Sequence, residues 1–161
     1  MNLIIDAGNT CIKLAAFKGD DPVEVCRVDY DELSKFGRFT TSYPFRRGIV
    51  SSVVDMPQSL EAAIAALPFD VVRLVPGVTP VPLRIKYATP HTLGADRLAA
   101  AVGAYAKGEG REVLVIDMGT CITYDFVNAD GEYLGGNISP GPKLRLKALN
   151  AYTSRLPLVS R

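Results

Sequence analysis

An α/β fold built on a repeated unit is predicted by three observations. Short apolar, β-branched runs alternate with helix-like segments along the whole chain. "EVLVID" (112–117) is a near-continuous apolar run, as expected of a central buried strand. "VIDMGTCITYDFV" (115–127) repeats "IIDAGNTCIKLAAF" (4–17) as Ile-Asp-x-Gly-(Asn)-Thr-Cys-Ile, with one residue more in the first copy. A repeat at that separation indicates two copies of one supersecondary unit rather than a solenoid.

The elements follow in order. Residues 2–5 read as a buried strand, 11–17 as a second after the Ala-Gly-Asn-Thr turn, and 23–28 as a third. A short helix is expected over 30–36 and a strand over 48–54. "PQSLEAAIAAL" has the proline start of an amphipathic helix, with another proline beyond its end. "DVVRLV" (70–75) is a strand, and 76–90 is proline-rich and extended. "ADRLAAAVGAYA" predicts a long helix that stops at Gly108. Beyond it come strands at 112–117, "CITYDFV" and "EYLGGNIS", with a turn at Asn128-Ala-Asp-Gly, and then a helix over about 142–155. A boundary near Gly108–Arg111 divides the chain into a first domain, 1–110, and a second, 111–161. The second domain has only three strands and a helix, so it is expected to be incomplete and to leave a sheet edge open.

Composition narrows the function. The 161 residues are 48% hydrophobic and 22% charged, an ordinary globular balance. A net charge of +1 and no basic tract give no pull toward nucleic acid or an anionic membrane. No apolar run is long enough to span a bilayer, and Asp6 interrupts anything resembling a secretory leader. Three cysteines without metal-ligand spacing point to reduced thiols in a cytoplasmic protein.

In each repeat an apolar strand delivers an aspartate (Asp6, Asp117) into a tight glycine-containing hairpin. Backbone N–H groups of such a turn, with a threonine hydroxyl, can surround phosphate oxygens. The aspartate can hold Mg²⁺ directly or through water, since that cation shares its shell with substrate phosphates. Good turn chemistry alone would explain one copy; two matched copies favour a nucleotide cleft between facing hairpins. Lys13 is placed to reach a phosphate, although a solvated strand lysine fits the spacing as well. Cys11 and Cys121 read as small buried residues. In "TPHTLGADRLAAAVGAY", Asp96 suits a helix start by capping and by the macrodipole. Arg97 beside it offers a bidentate fork for a carboxylate or phosphate at the same helix end. Together they suggest substrate binding with general-base help. Tyr87 could line a pocket or simply pack. His91, the lone histidine, has no part in this chemistry, and "GGNISPG" (135–141) is a weak signal of a ligand border.

"DAGNTCIK", "GADR" and "IDMGTCITYDF…GEYLGGNISPG" resemble, in order and over nearly the whole chain, the motifs of type III pantothenate kinases. These belong to the superfamily of acetate and sugar kinases, heat-shock chaperones and actin. GADR between two such hairpins separates this family from relatives that share the hairpins alone. The resemblance implies duplicated actin-like (ribonuclease H-like) domains with mixed sheets, the second truncated here. It implies ATP-dependent phosphorylation of pantothenate, the first step of coenzyme A synthesis. Asp6, Ala7, Gly8, Asn9, Thr10, Cys11, Ile12 and Lys13 would form the first ATP loop, with Asp6 near Mg²⁺, and Thr120 the second ATP contact. Tyr87, Gly94, Ala95, Asp96 and Arg97 would bind pantothenate, with Asp96 as proton acceptor. Asp117 would bind a monovalent cation, K⁺ or NH₄⁺. A homodimer is implied as well. The alternatives are another small-molecule kinase of the superfamily or a non-catalytic, nucleotide-binding regulator.

Overall fold

The computed structural model describes residues 1–159. By contacts it forms two units, Met1–Pro80 with Gly94–Asp96, and Val81–Leu93 with residues 97 onward.

The first unit is a five-stranded mixed sheet in the order β3-β2-β1-β4-β5. Its strands are β1 (Asn2–Ala7), β2 (Ile12–Lys18), β3 (Asp21–Val28), β4 (Arg47–Ser52) and β5 (Asp70–Arg73). β1 is central, antiparallel to β2 and parallel to β4. Alternation in β1 turns Leu3, Ile5 and Ala7 to one face, directly opposite Ala16, Leu14 and Ile12 of β2. All six are completely buried. They form the core with Val50 and with residues of α1 (Leu33–Thr41) and α2 (Gln58–Ala65), chiefly Phe36, Phe39, Leu60 and Ile64. Each valine, leucine, isoleucine or phenylalanine among them contributes about 1.5–3 kcal/mol by leaving water.

The helix expected over 30–36 begins later. Glu32 N–H bonds to Asp29 C=O in a turn (2.9 Å), and Tyr30 leaves the helical path so that its hydroxyl donates to Gly8 C=O (2.8 Å). A tertiary contact therefore overrides local propensity.

The second unit holds a four-stranded mixed sheet in the order β6-β9-β8-β7: β6 (Arg84–Ile85), β7 (Val113–Met118), β8 (Cys121–Val127) and β9 (Glu132–Pro140). α3 (Ala95–Lys107) and α4 (Pro142–Ala151) complete the elements. The unit takes in residues 81–93 and most of α3, well before the boundary expected near 110. One cause is that Arg84 and Ile85 pair in parallel with Glu132 and Tyr133 of β9.

β7 departs from the expectation of a central buried strand. Among the described residues it pairs only with β8, and Leu114, Ile116 and Met118 are more than half exposed. Its counterpart β1 is buried because β4 and β5 extend the sheet beyond it, and among the described residues no strand extends the second sheet beyond β7. α4 likewise ends earlier than expected and buries no residue.

Candidate functional site

The sequence repeat is a repeat of geometry. In the first hairpin Gly8 N–H donates to Cys11 C=O at 3.2 Å; in the second, Gly119 N–H donates to Cys121 C=O at 2.8 Å. The extra residue of the first copy lies inside this shared closure and lengthens the loop by one. Both aspartates sit one residue before the end of their strand, Asp6 opposite Lys13 and Asp117 opposite Thr123. The second copy thus carries no cation at the Lys13 position.

Asp6 is clamped from both neighbouring strands. Ser51 of β4, its direct partner in the parallel ladder, donates to Oδ1 at 3.1 Å. The Lys13 ammonium of β2 bonds Oδ2 at 3.3 Å. Asn9 and Thr10 at the loop crest are exposed, whereas Ala7 and Ile12 are wholly buried, so any ligand contact of those two runs through backbone atoms. Burial raises the Tyr30 hydroxyl above its usual range, with Cys11 and Asp6 adding to the effect, so it stays protonated as a donor to the loop. Ser51 and Tyr30 had no motif to mark them; only strand register and a distant turn bring them to the loop. Cys11 and Cys121 are part-exposed rather than buried, and each supplies the carbonyl that closes its turn.

The second loop meets the start of α4. Gly141 N–H bonds to Thr120 C=O at 2.9 Å. A Cβ at Gly141 would stand 2.4 Å from Gly119 O and 2.6 Å from Thr120 O, so only glycine lets the chain pass. "GGNISPG" therefore braces the loop that carries Thr120. Thr120 and Asp117 are exposed.

At the start of α3, Gly94 and Asp96 are half-buried and Ala95 is buried. Arg97 is only 7% exposed and forms a two-pronged ion pair with Asp125 of β8, itself 1% exposed. Nη2 lies 2.6 Å from Oδ1, and Nε lies 3.1 and 3.2 Å from the two carboxylate oxygens. Burial works against the Arg97 charge, but the Asp125 hydrogen bond and the surrounding charges outweigh it and raise the pKa. The fork that the sequence offers to a ligand is thus engaged by an internal carboxylate. Tyr133 completes the cluster, its hydroxyl donating to Asp125 Oδ1 at 2.5 Å. Burial, then the Asp125 hydrogen bond, push the Tyr133 phenol far above its ordinary value. Tyr87 lies against it, ring centroids 6.3 Å apart. Sequence reasoning missed Asp125 and Tyr133; the sole hint was an acid within an apolar strand. His91 is exposed in a 3₁₀ turn, Pro90–Thr92.

For a divalent cation the first loop offers one carboxylate. No cluster of three His, Cys, Asp or Glu side chains able to hold a metal occurs among the described residues. A single carboxylate suits Mg²⁺, which keeps water and phosphate in its shell.

The type III pantothenate kinase family profile matches residues 2–161. A type III pantothenate kinase of Phocaeicola vulgatus is 49% identical over 160 residues, 99% of this chain and 66% of that protein. One from Bacteroides fragilis is 47% identical over 159 residues, 99% of this chain and 65% of that protein. The chain thus spans about two thirds of the length of these curated relatives. Among solved structures, a Sinorhizobium meliloti protein assigned as a 2-dehydro-3-deoxygalactonokinase superposes with a TM-score of 0.52 at 15% identity. It covers 95% of this chain and 57% of that one, a likeness of fold. With the duplicated hairpins and the GADR helix start in place, the chain belongs to the type III pantothenate kinase family.

Proposed function

We propose that the protein of which these residues are part phosphorylates pantothenate with ATP, giving 4′-phosphopantothenate and ADP at the first step of coenzyme A synthesis. The observation that carries this reading is the presence in one chain of this family of both Asp-x-Gly hairpins, closed by the same hydrogen bond, with GADR between them.

The first loop, Asp6 to Lys13, and Thr120 contact ATP, where exposed loop N–H groups and the Lys13 ammonium meet phosphate charge. Asp6 would hold Mg²⁺, directly or through water, and the ion would supply charge neutralisation on the outer phosphates; K⁺ or NH₄⁺ is assigned to Asp117. Tyr87, Gly94, Ala95, Asp96 and Arg97 bind pantothenate, with the orientation of Arg97 set by Asp125. The primary hydroxyl oxygen of pantothenate forms a bond to the γ-phosphorus as the bond to the bridging oxygen of ADP breaks. Phosphoryl transfer of this kind depends mainly on positioning. Asp96 accepts the hydroxyl proton late, when bond formation has acidified it; a carboxylate is too weak a base to take it earlier. The same reading makes the protein a cytoplasmic homodimer with no nucleic-acid or membrane partner. Among the described residues, no helix is long and apolar enough to cross a membrane.

The test is ATP-dependent phosphopantothenate formation by full-length wild-type protein and by Asp96→Asn. Loss of a general base is expected to lower kcat by about 100-fold or more. Near-equal rates would remove Asp96 from that role, and no turnover of pantothenate by wild type would sink the substrate assignment.

A further inference from the structure

We propose that Asp125 and Tyr133 are positioning residues for pantothenate, fixing the two pocket residues Arg97 and Tyr87 from beneath; this rests on the substrate reading given above. Asp125 and Val127 share one face of β8, by strand alternation. Tyr133 of β9 is the partner of Val127 in the ladder, so it lies on that face too, diagonal to Asp125. The register shifts between Phe126 and Val127, where two residues of β9 oppose one step of β8. A bulge of this kind re-aims a side chain. Here Tyr133 is fully buried and its hydroxyl donates to Asp125 Oδ1.

Each partner restrains one pocket residue. The Asp125 carboxylate holds Arg97 through two guanidinium nitrogens, which sets the plane of the guanidinium as well as its place. The Tyr133 ring lies against the Tyr87 ring. Gly135, at φ +95°, brings backbone to the other ring, since a Cβ there would stand 3.1 Å from Tyr87 Cδ2. Arg97 and Tyr87 are therefore joined through Asp125 and Tyr133 by three contacts, all within the second unit. Neither Asp125 nor Tyr133 need touch the reacting atoms. Their effect is to hold the pocket in its binding geometry before substrate arrives, which lowers the cost of ordering side chains on binding.

Steady-state kinetics of the full-length protein separate positioning from a merely structural role, because the two substrates report on different residues. Tyr133→Phe keeps the ring and removes one hydrogen bond to a carboxylate. It is expected to raise KM for pantothenate about five- to tenfold, with KM for ATP and kcat within about twofold of wild type. Asp125→Asn, which keeps the shape and loses the charge, is expected to raise it at least about tenfold. If Asp125→Asn does not fold, Tyr133→Phe still decides, and far-ultraviolet circular dichroism identifies that case. An unchanged pantothenate KM in folded Tyr133→Phe, or an equal rise in both KM values, overturns the proposal while leaving the substrate reading intact. A wild-type protein that does not turn over pantothenate overturns both.

Discussion

Asp125 and Arg97 make the sharpest energetic prediction, because both charges are almost wholly removed from water. Replacing Asp125 with leucine leaves a guanidinium, 7% exposed, without the carboxylate that bonds it through Nε and Nη2. It also orphans the Tyr133 hydroxyl. Breaking a buried pair from one side costs about 3–5 kcal/mol, most of it the penalty of the charge left behind. Arg97→Met strands the Asp125 carboxylate and is expected to cost a similar amount. The double variant removes both charges and keeps the volume, so its loss should not exceed about 2 kcal/mol, mainly the unmet tyrosine hydroxyl. Urea unfolding reads all four proteins. With a slope of about 2 kcal/mol per molar, a loss of about 4 kcal/mol moves the midpoint by about 2 M. The cycle cancels whatever else Arg97 touches and isolates the pair, whose interaction is about 6 kcal/mol if each single loss is about 4 kcal/mol and the double loss about 2 kcal/mol. Single losses below about 1 kcal/mol, or losses that simply add in the double variant, would refute the reasoning. They would mean that the pair is solvated and no stronger than a surface ion pair.

Two further outcomes follow from the same geometry. Because the folded-state pKa of Tyr133 is raised above the ordinary value of about 10, its contribution is fully present below that pH and is lost as pH climbs toward the folded value. Wild-type stability should therefore fall above about pH 10 more steeply than that of Tyr133→Phe, by up to about 1.4 kcal/mol per pH unit in chemical denaturation; parallel profiles would contradict the assignment. Gly141→Ala puts a methyl group within 2.4 Å of Gly119 O, so the second loop must shift. KM for ATP is expected to rise about tenfold, against an unchanged KM for pantothenate, if Thr120 contacts nucleotide.

Much of this protein was determined by local sequence. Alternation in "NLIIDA" settles which face of β1 is buried, since side chains in a strand point to opposite faces in turn. Proline and glycine mark the ends of α2 and α3 for reasons internal to the backbone. The two Asp-x-Gly hairpins were legible because their chemistry lies within a few consecutive residues and occurs twice. Other features depended on partners distant in sequence. The start of α1 was displaced by Tyr30 reaching Gly8, 22 residues away. β7 looks central by composition, yet among the described residues only β8 lies beside it and its apolar side chains are exposed, because exposure depends on neighbouring strands. Ser51 meets Asp6 through parallel register with β4, 45 residues on. Arg97, legible as a candidate ligand fork, is also half of a buried ion pair with Asp125, 28 residues downstream. Periodicity and turn chemistry operate over a few residues, and one sequence can express them alone. Asp125 reaches Arg97 from a strand of the second sheet, and Tyr133 reaches Asp125 through strand register and the bulge in β9; these exist only once that sheet has formed.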